Sequence, residues 1–153
     1  MSGEDSDPGS AGDADVDADA DADADADGDT GSRNLCVDII NEYRATEGKP
    51  PYARWADAEP CSDDEARSDS ETGIPHGAFG ACGESAQNEC PGWPGPVETL
   101  LEGCLAGMWA EGPGEPFSEH GHYINMSSTS YTEVACGFHT TAGGGIWALQ
   151  NFR

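Results

Sequence analysis

Basic residues are scarce in this chain: six Lys and Arg stand against thirty Asp and Glu, for a formal net charge of -24. A field of this sign repels phosphate backbones and anionic lipid headgroups, which argues against nucleic-acid partners. The sequence also lacks an apolar run near the roughly 20 residues that span a bilayer, so we expect no direct membrane insertion. Its oligomeric state is left open.

No Cys-x-x-Cys pair occurs, which removes the usual sign of a zinc knuckle. The sequence nevertheless contains an even set of cysteines: Cys36, Cys61, Cys82, Cys90, Cys104 and Cys136. Such a density predicts disulfides formed in an oxidising compartment, the alternative being buried thiols or a zinc cluster in the cytosol. Of the many possible pairings, only the local pair of Cys82 with Cys90 is weakly favoured.

The first 32 residues are low in complexity, with Asp at every odd position from Asp13 to Asp29. They offer almost no apolar side chain to bury, so we interpret residues 1–32 as a disordered acidic spacer before a domain at 33–153. The residues Met-Ser-Gly-Glu-Asp have neither the basic nor the apolar region of an export signal, so we expect such a signal to lie upstream. The spacer resembles the linkers behind the anchor of bacterial surface lipoproteins, and the expected location is secreted, periplasmic or anchored at the cell surface.

The spacer also contains the opening of an EF-hand loop, Asp-x-Asp-x-Asp-Gly, at Asp23, Asp25, Asp27 and Gly28. The position that requires a bidentate Glu is Asn34. The pattern therefore predicts loose calcium association at most.

Hydrophobic periodicity and helix breakers predict three clear helices in the domain. One begins at an Asn34 cap, one covers residues 56–72, and one runs from Pro96 to Gly112. A shorter helix is expected near residues 84–89. Alternation predicts strands at 122–126, 133–139 and 146–152, the last two as an antiparallel hairpin. Helices and strands in separate blocks indicate an α+β fold.

Two polar side chains share faces with apolar ones. Glu111 continues the stripe of Met108, and it needs a cation, a metal or strong donors unless the helix frays and it reaches water. His122 shares a strand face with Ile124, where it is either a satisfied core residue or, with His120, part of a metal site. Two further candidates are His76 and Glu84, each of which is also compatible with an ordinary surface position. Spacing alone does not bring them together with Glu111 and His122.

A set of short motifs runs in a characteristic order along the domain. They are Asn-Glu-Tyr-Arg at 41–44, Gly-Lys-Pro-Pro at 48–51 with Trp55, His76, Gly-Glu-Ser at 83–85, Trp-Ala-Glu at 109–111, Gly-His-Tyr-Ile-Asn-Met at 121–126 and Thr-Glu-Val-Ala-Cys-Gly at 132–137. The set resembles the CAP superfamily of cysteine-rich secretory, antigen 5 and pathogenesis-related proteins, in a bacterial-type member. Ser85 departs from the Asn of that pattern, and a Trp expected after Met126 is missing.

This resemblance implies a three-layer α-β-α sandwich with a small antiparallel sheet, stabilised by disulfides. It also implies a cleft lined by two histidines and two glutamates, His76, Glu84, Glu111 and His122. Imidazole nitrogens and carboxylate oxygens are ligands that zinc accepts.

The resulting expectation is an exported, non-enzymatic binding module whose cleft takes a divalent metal, a small ligand or a peptide. One alternative is a metal-assisted hydrolase of the peptidase kind, with Glu84 or Glu111 as general base. Another is a lipid or sterol carrier. Catalytic residues, if any exist, stay unknown at this stage.

Overall fold

A computed structural model describes residues 22–153, with side chains from residue 30 onward. Most of the predicted spacer at 1–32 and the Asp side chains of the EF-hand opening therefore lie outside the described residues. Within the described part, no helix is both long enough and apolar enough to cross a membrane.

Four α-helices and one 3-10 turn form the helical part of the domain. Their bounds are α1 Ala22–Thr46, the 3-10 turn Ala56–Ala58, α2 Glu59–Thr72, α3 Val97–Ala110 and α4 Phe117–Ser127. Proline residues precede α3 and α4 or lie in the first turn of α2, where the missing N–H costs no hydrogen bond. Helix α2 ends at Gly73, whose left-handed backbone suits glycine.

The sheet has four strands, β1 Ala53–Arg54, β2 Ala86–Trp93, β3 Glu133–Thr140 and β4 Ile146–Phe152. Their order across the sheet is β1-β3-β4-β2, so β2 is an edge strand. The pairs β3–β4 and β2–β4 are antiparallel, whereas the two residues of β1 run parallel to β3. The predicted hairpin is therefore confirmed.

The helices cover the two faces of this sheet. Helix α2 packs on β3 and β4 on one face, while α1, α3 and α4 contact each other and the sheet on the other. On the α2 face, Gly137 comes so close to α2 that a Cβ added there would lie 2.6 Å from the Ser62 Cβ. On the opposite face, Ile40, Leu101 and Phe152 are among the fully buried core residues. The α+β class with layered helices and sheet is confirmed.

Three disulfides connect these layers, and no cysteine of the described chain is free. They join Cys36 to Cys136, Cys61 to Cys82 and Cys90 to Cys104. The predicted disulfide bonding is confirmed, but the favoured Cys82–Cys90 pair is wrong. Cys90 lies on the face of β2 that meets α3, whereas Cys82 lies in the loop that follows α2.

Three predicted elements differ from the structure. Residues 122–126 belong to α4, because five alternating residues are too few to separate a period of two from a period of 3.6. Residues 84 and 85 belong to the loop before β2, and residues 86–89 are the first half of that strand, so no helix forms there. Helix α1 passes through Asn34, whose side chain accepts a hydrogen bond from Arg54 at 2.9 Å and caps nothing.

Candidate functional site

A cleft of about 580 Å³ runs along the edge strand β2. One wall is the loop from residue 74 to 85, and the other wall is helix α4. Residues of both walls and of the strand line it, among them His76, Phe79, Gln87, Phe117, His122 and Tyr131. The cleft therefore contains both predicted histidines, each about two-fifths exposed in its side chain.

His122 is oriented by Glu111, the residue that ends α3. The Glu111 carboxylate accepts the His122 backbone N–H at 3.0 Å and lies 2.8 Å from His122 Nδ1. An ionised carboxylate only accepts, so Nδ1 carries a proton, and in the neutral ring the lone pair is then at Nε2. The predicted need of Glu111 for a partner is met by this histidine.

Helix α4, which carries His122, is itself fixed at several backbone oxygens. Asn88 of β2 donates to the His122 carbonyl at 3.0 Å and accepts from Asn125 at 2.9 Å. Buried Arg44 donates to the Met126 carbonyl and to the carbonyl just beyond the helix, each at 2.8 Å. These contacts hold the His122 wall against the strand.

His76 is oriented by an amide. Its Nδ1 lies 2.8 Å from Gln87 Oε1, while the Gln87 amide nitrogen donates to Glu65 at 3.1 Å and to Asn151 at 2.9 Å. Those two acceptors fix the amide orientation, so Oε1 faces His76 and Nδ1 must be the donor. In its neutral form His76 therefore also has the lone pair at Nε2, and no described residue bonds either Nε2.

The backbone of His76 has a φ of 61°, a left-handed conformation that is uncommon outside glycine. Its N–H donates to buried Glu89 at 2.7 Å, which helps to hold it there. Such strained residues concentrate at binding and catalytic sites.

Glu84 takes a different position from the one the resemblance implies. Its carboxylate turns back into the 74–85 loop, where it accepts the N–H groups of Gly80 and of Cys82, the latter at 3.0 Å. Ser85, the next residue, lines the cleft instead. Glu84 thus supports the wall that carries His76.

Buried carboxylates accept hydrogen bonds from the backbone of the 74–85 loop. The N–H groups of residues 76, 78, 80 and 82 donate to Glu89, Asp69 and Glu84, and those of 77, 79, 81 and 83 donate to the carbonyl three residues earlier. Asp69 accepts from Ala78 at 2.8 Å and is fully buried. Every amide from 76 to 83 is therefore satisfied within the loop or by these acids.

A fourth acid, Glu65 of α2, completes this cluster. Burial raises the pKa of Glu65 to about 7 and that of Glu89 to about 8, and hydrogen bonds from Asn151 and from the His76 backbone oppose the two shifts. Close contacts of Glu65 with Glu84, and of Glu89 with Asp69, favour protons shared between carboxyl groups. The titration of Glu65 therefore depends on the charge of Glu84, and that of Glu89 depends on the charge of Asp69.

The structure offers one compact group of possible metal ligands among its described residues, namely Glu65, Cys82 and Glu84, with ligand atoms within 4.8 Å of one another. Cys82 is bonded to Cys61, so its sulfur is no thiolate. No three of the four predicted residues reach that distance within the described chain. Two histidines share the cleft, and the two glutamates hold its walls.

Sequence reasoning missed Glu65, Asp69, Gln87 and Glu89. A strand assignment for residues 86–93 would have placed Gln87 and Glu89 together on the α2 face, since side chains alternate along a strand. Glu65 and Asp69 are four residues apart and so share a face of the predicted helix, but no spacing marks Glu89 as their neighbour.

No protein-family model and no curated protein matches the chain. Among solved structures, it is similar to Schistosoma mansoni venom allergen-like protein 4, with 12% sequence identity. The match covers 79% of this chain and 86% of that chain, with a TM-score of 0.48. At this score the match carries no inference about function, which has to be argued from the cleft itself.

Proposed function

We propose that this chain is an extracellular binding module of the CAP type, and that its cleft holds a divalent metal or a small ligand through His76 and His122. The observation that carries the proposal is the shared state of the two rings. Each donates Nδ1–H to an oxygen, so that the neutral ring presents a free Nε2 lone pair in a common cleft. Histidines that bind metals are typically held in this way from behind.

The two histidines supply part of the ligand shell that zinc or a similar ion requires. Two imidazole nitrogens would supply two ligands, and water or a bound molecule would complete the shell. The resemblance gives Glu84 and Glu111 as further ligands, but their carboxylates already accept backbone or imidazole hydrogens. We therefore assign both glutamates an orienting role.

This arrangement favours binding over hydrolysis. A general base must have its lone pair within reach of the water that it deprotonates. Glu111 is engaged with His122, and Glu84 is engaged with the loop amides and is buried. Three structural disulfides add the expectation of an oxidising, extracellular environment.

The test is zinc titration by calorimetry on the oxidised protein, with its histidines replaced one at a time. His76→Ala and His122→Ala should each weaken binding by more than about tenfold, because each removes a ligand. His139→Ala is the matched control, since His139 of β3 does not line the cleft. The acidic N-terminal residues are common to all variants, so loose binding there cancels from the comparison.

Glu111→Gln separates the orienting role from ligation. The Gln amide can present either oxygen or nitrogen to Nδ1, so the His122 tautomer is no longer fixed, and affinity should fall about tenfold. The metal version of the proposal is wrong if His76→Ala and His122→Ala both bind zinc as tightly as His139→Ala.

A further inference from the structure

All six basic side chains of the protein are held away from the cleft, and none lines it. Five form ion pairs with nearby acids, Arg33 with Asp63, Lys49 with Glu47, Arg54 with Glu59, Arg67 with Asp64 and Arg153 with Glu133. The sixth, Arg44, is buried and donates to backbone carbonyls. No cation therefore lines the cleft of a protein whose net charge is -24, which favours a positively charged ligand there over an anion.

The rim of the same cleft is apolar. Phe79 on the loop and Phe117 on α4 line opposite walls and are 48% and 61% exposed. Only one other large hydrophobic side chain of the described residues is comparably exposed, Ile74, and it does not line the cleft. Ile124 and Tyr131 continue the apolar lining. Exposed apolar patches of this kind mark binding surfaces.

The two histidines offer acceptor atoms to a ligand, beside the hydroxyl groups of Ser85, Ser118 and Tyr131. Because Nδ1–H donates to Gln87 or to Glu111, each ring in its neutral form can only accept through Nε2. Two acceptor atoms in a cleft that no cation lines favour a positively charged donor over an anion.

We propose that the natural ligand of this cleft is a cationic amphiphile, a primary ammonium or guanidinium group on an aliphatic or aromatic body. The cationic head donates to the two Nε2 atoms, and the apolar body lies between Phe79 and Phe117. This inference rests on the proposed binding role of the cleft, and it names the class of ligand. Because head group and zinc use the same lone pairs, the two exclude each other.

Three probes with the same tail test the head group: octylammonium, octyltrimethylammonium and octanoate, each below its micelle concentration. Binding is followed at pH 7.5 by NMR shifts of the full chain without metal. Octylammonium should bind best, octyltrimethylammonium should bind more weakly because it has no N–H donor, and octanoate should bind at least about tenfold more weakly than octylammonium. Shifts should concentrate at His76, Phe79, Phe117 and His122.

Two variants test the apolar rim. Phe79→Ala with Phe117→Ala should weaken octylammonium binding by at least about tenfold, because both rings cover the tail. Ile74→Ala removes an equally exposed apolar side chain outside the cleft and should leave binding unchanged. Positions 74, 79 and 117 are all on the surface, so circular dichroism should show an unaltered fold in both variants.

The inference is overturned if octanoate binds as tightly as octylammonium, or if the octylammonium shifts fall outside the cleft. Either result leaves zinc binding by His76 and His122 untouched. Conversely, a protein that takes no zinc but binds octylammonium loses the metal version of the proposed function and retains this one. Displacement of octylammonium by zinc, abolished in His122→Ala, supports both.

Discussion

Glu89→Gln should change how the stability of the protein depends on pH. Glu89 is buried beside Asp69 and accepts the His76 N–H, and burial raises its pKa to about 8 from 4.5. Between those values the folded protein keeps a proton that the unfolded chain releases. The contribution of Glu89 to stability is therefore greatest in acid and is lost as the pH rises through this window, in contrast to that of an acid held by a salt bridge.

The size of the effect follows from the width of the window. Each pH unit within it costs about 1.4 kcal/mol for one proton, so the rise from pH 5 to pH 7 costs about 3 kcal/mol from Glu89 alone. Glu65, with its pKa raised to about 7, adds a loss of the same sign. Gln stays neutral, and it replaces the protonated acid with an oxygen for His76 and a donor for Asp69. The variant should keep only the slope that Glu65 and the remaining groups give.

The assay is guanidinium unfolding at pH 5, 6, 7 and 8 with the disulfides intact. Near pH 5 the wild type and Glu89→Gln should be similar in stability, and by pH 8 the variant should be about 3.5 kcal/mol more stable relative to the wild type. Exposed Glu102 of α3 supplies the control Glu102→Gln, which should follow the wild type throughout. Parallel pH curves for the wild type and Glu89→Gln would refute the assignment of a raised pKa to this buried acid.

Three further changes test the packing that places the cleft. Gly137→Ala should cost about 1–3 kcal/mol in urea unfolding, because its methyl group overlaps the α2 backbone, whereas Gly107→Ala on the open surface of α3 should stabilise by up to about 1 kcal/mol. Arg44→Met should cost about 3 kcal/mol and broaden the NMR signals of α4, since the buried carbonyls that accept from Arg44 lose their charged donor; a loss below about 0.5 kcal/mol would contradict it. The Cys36→Ala/Cys136→Ala variant removes a bond across a separation of 100 residues and should lose about 4–5 kcal/mol, measured as a lower thermal midpoint; a change of only a few degrees would argue against this role.

The sequence correctly predicted the helices and strands that have a long hydrophobic pattern or are bounded by Pro and Gly. Helix α3 follows Pro96 with an apolar stripe over several turns, and the β3–β4 hairpin has two alternating segments around a Gly-rich turn. Helix α4 was missed because its apolar positions fall in a short window. The start of α1 was placed too late because Asn34, a residue that commonly caps helices, lies within this one.

The site was predictable only in part, for a related reason. Glu111 and His122 stood out because each sat on an apolar face, and the structure pairs them. His76 and Glu84 entered through a resemblance of ordered motifs. Glu65 and Asp69 share a face of the predicted helix, but nothing in the sequence links them to Glu89, because a loop supported by acids from a helix and a strand depends on tertiary contacts that no single segment encodes.

The wall of the cleft between residues 76 and 83 owes its path to main-chain amides, and the acids that receive them lie on other elements or at its end. Side chains such as Phe79 and Ala81 therefore contribute little to the backbone path of that wall. Natural variation or a combinatorial library could exchange them while the backbone trace persists. A family of related chains built on the same acids would thus recognise different molecules with one scaffold.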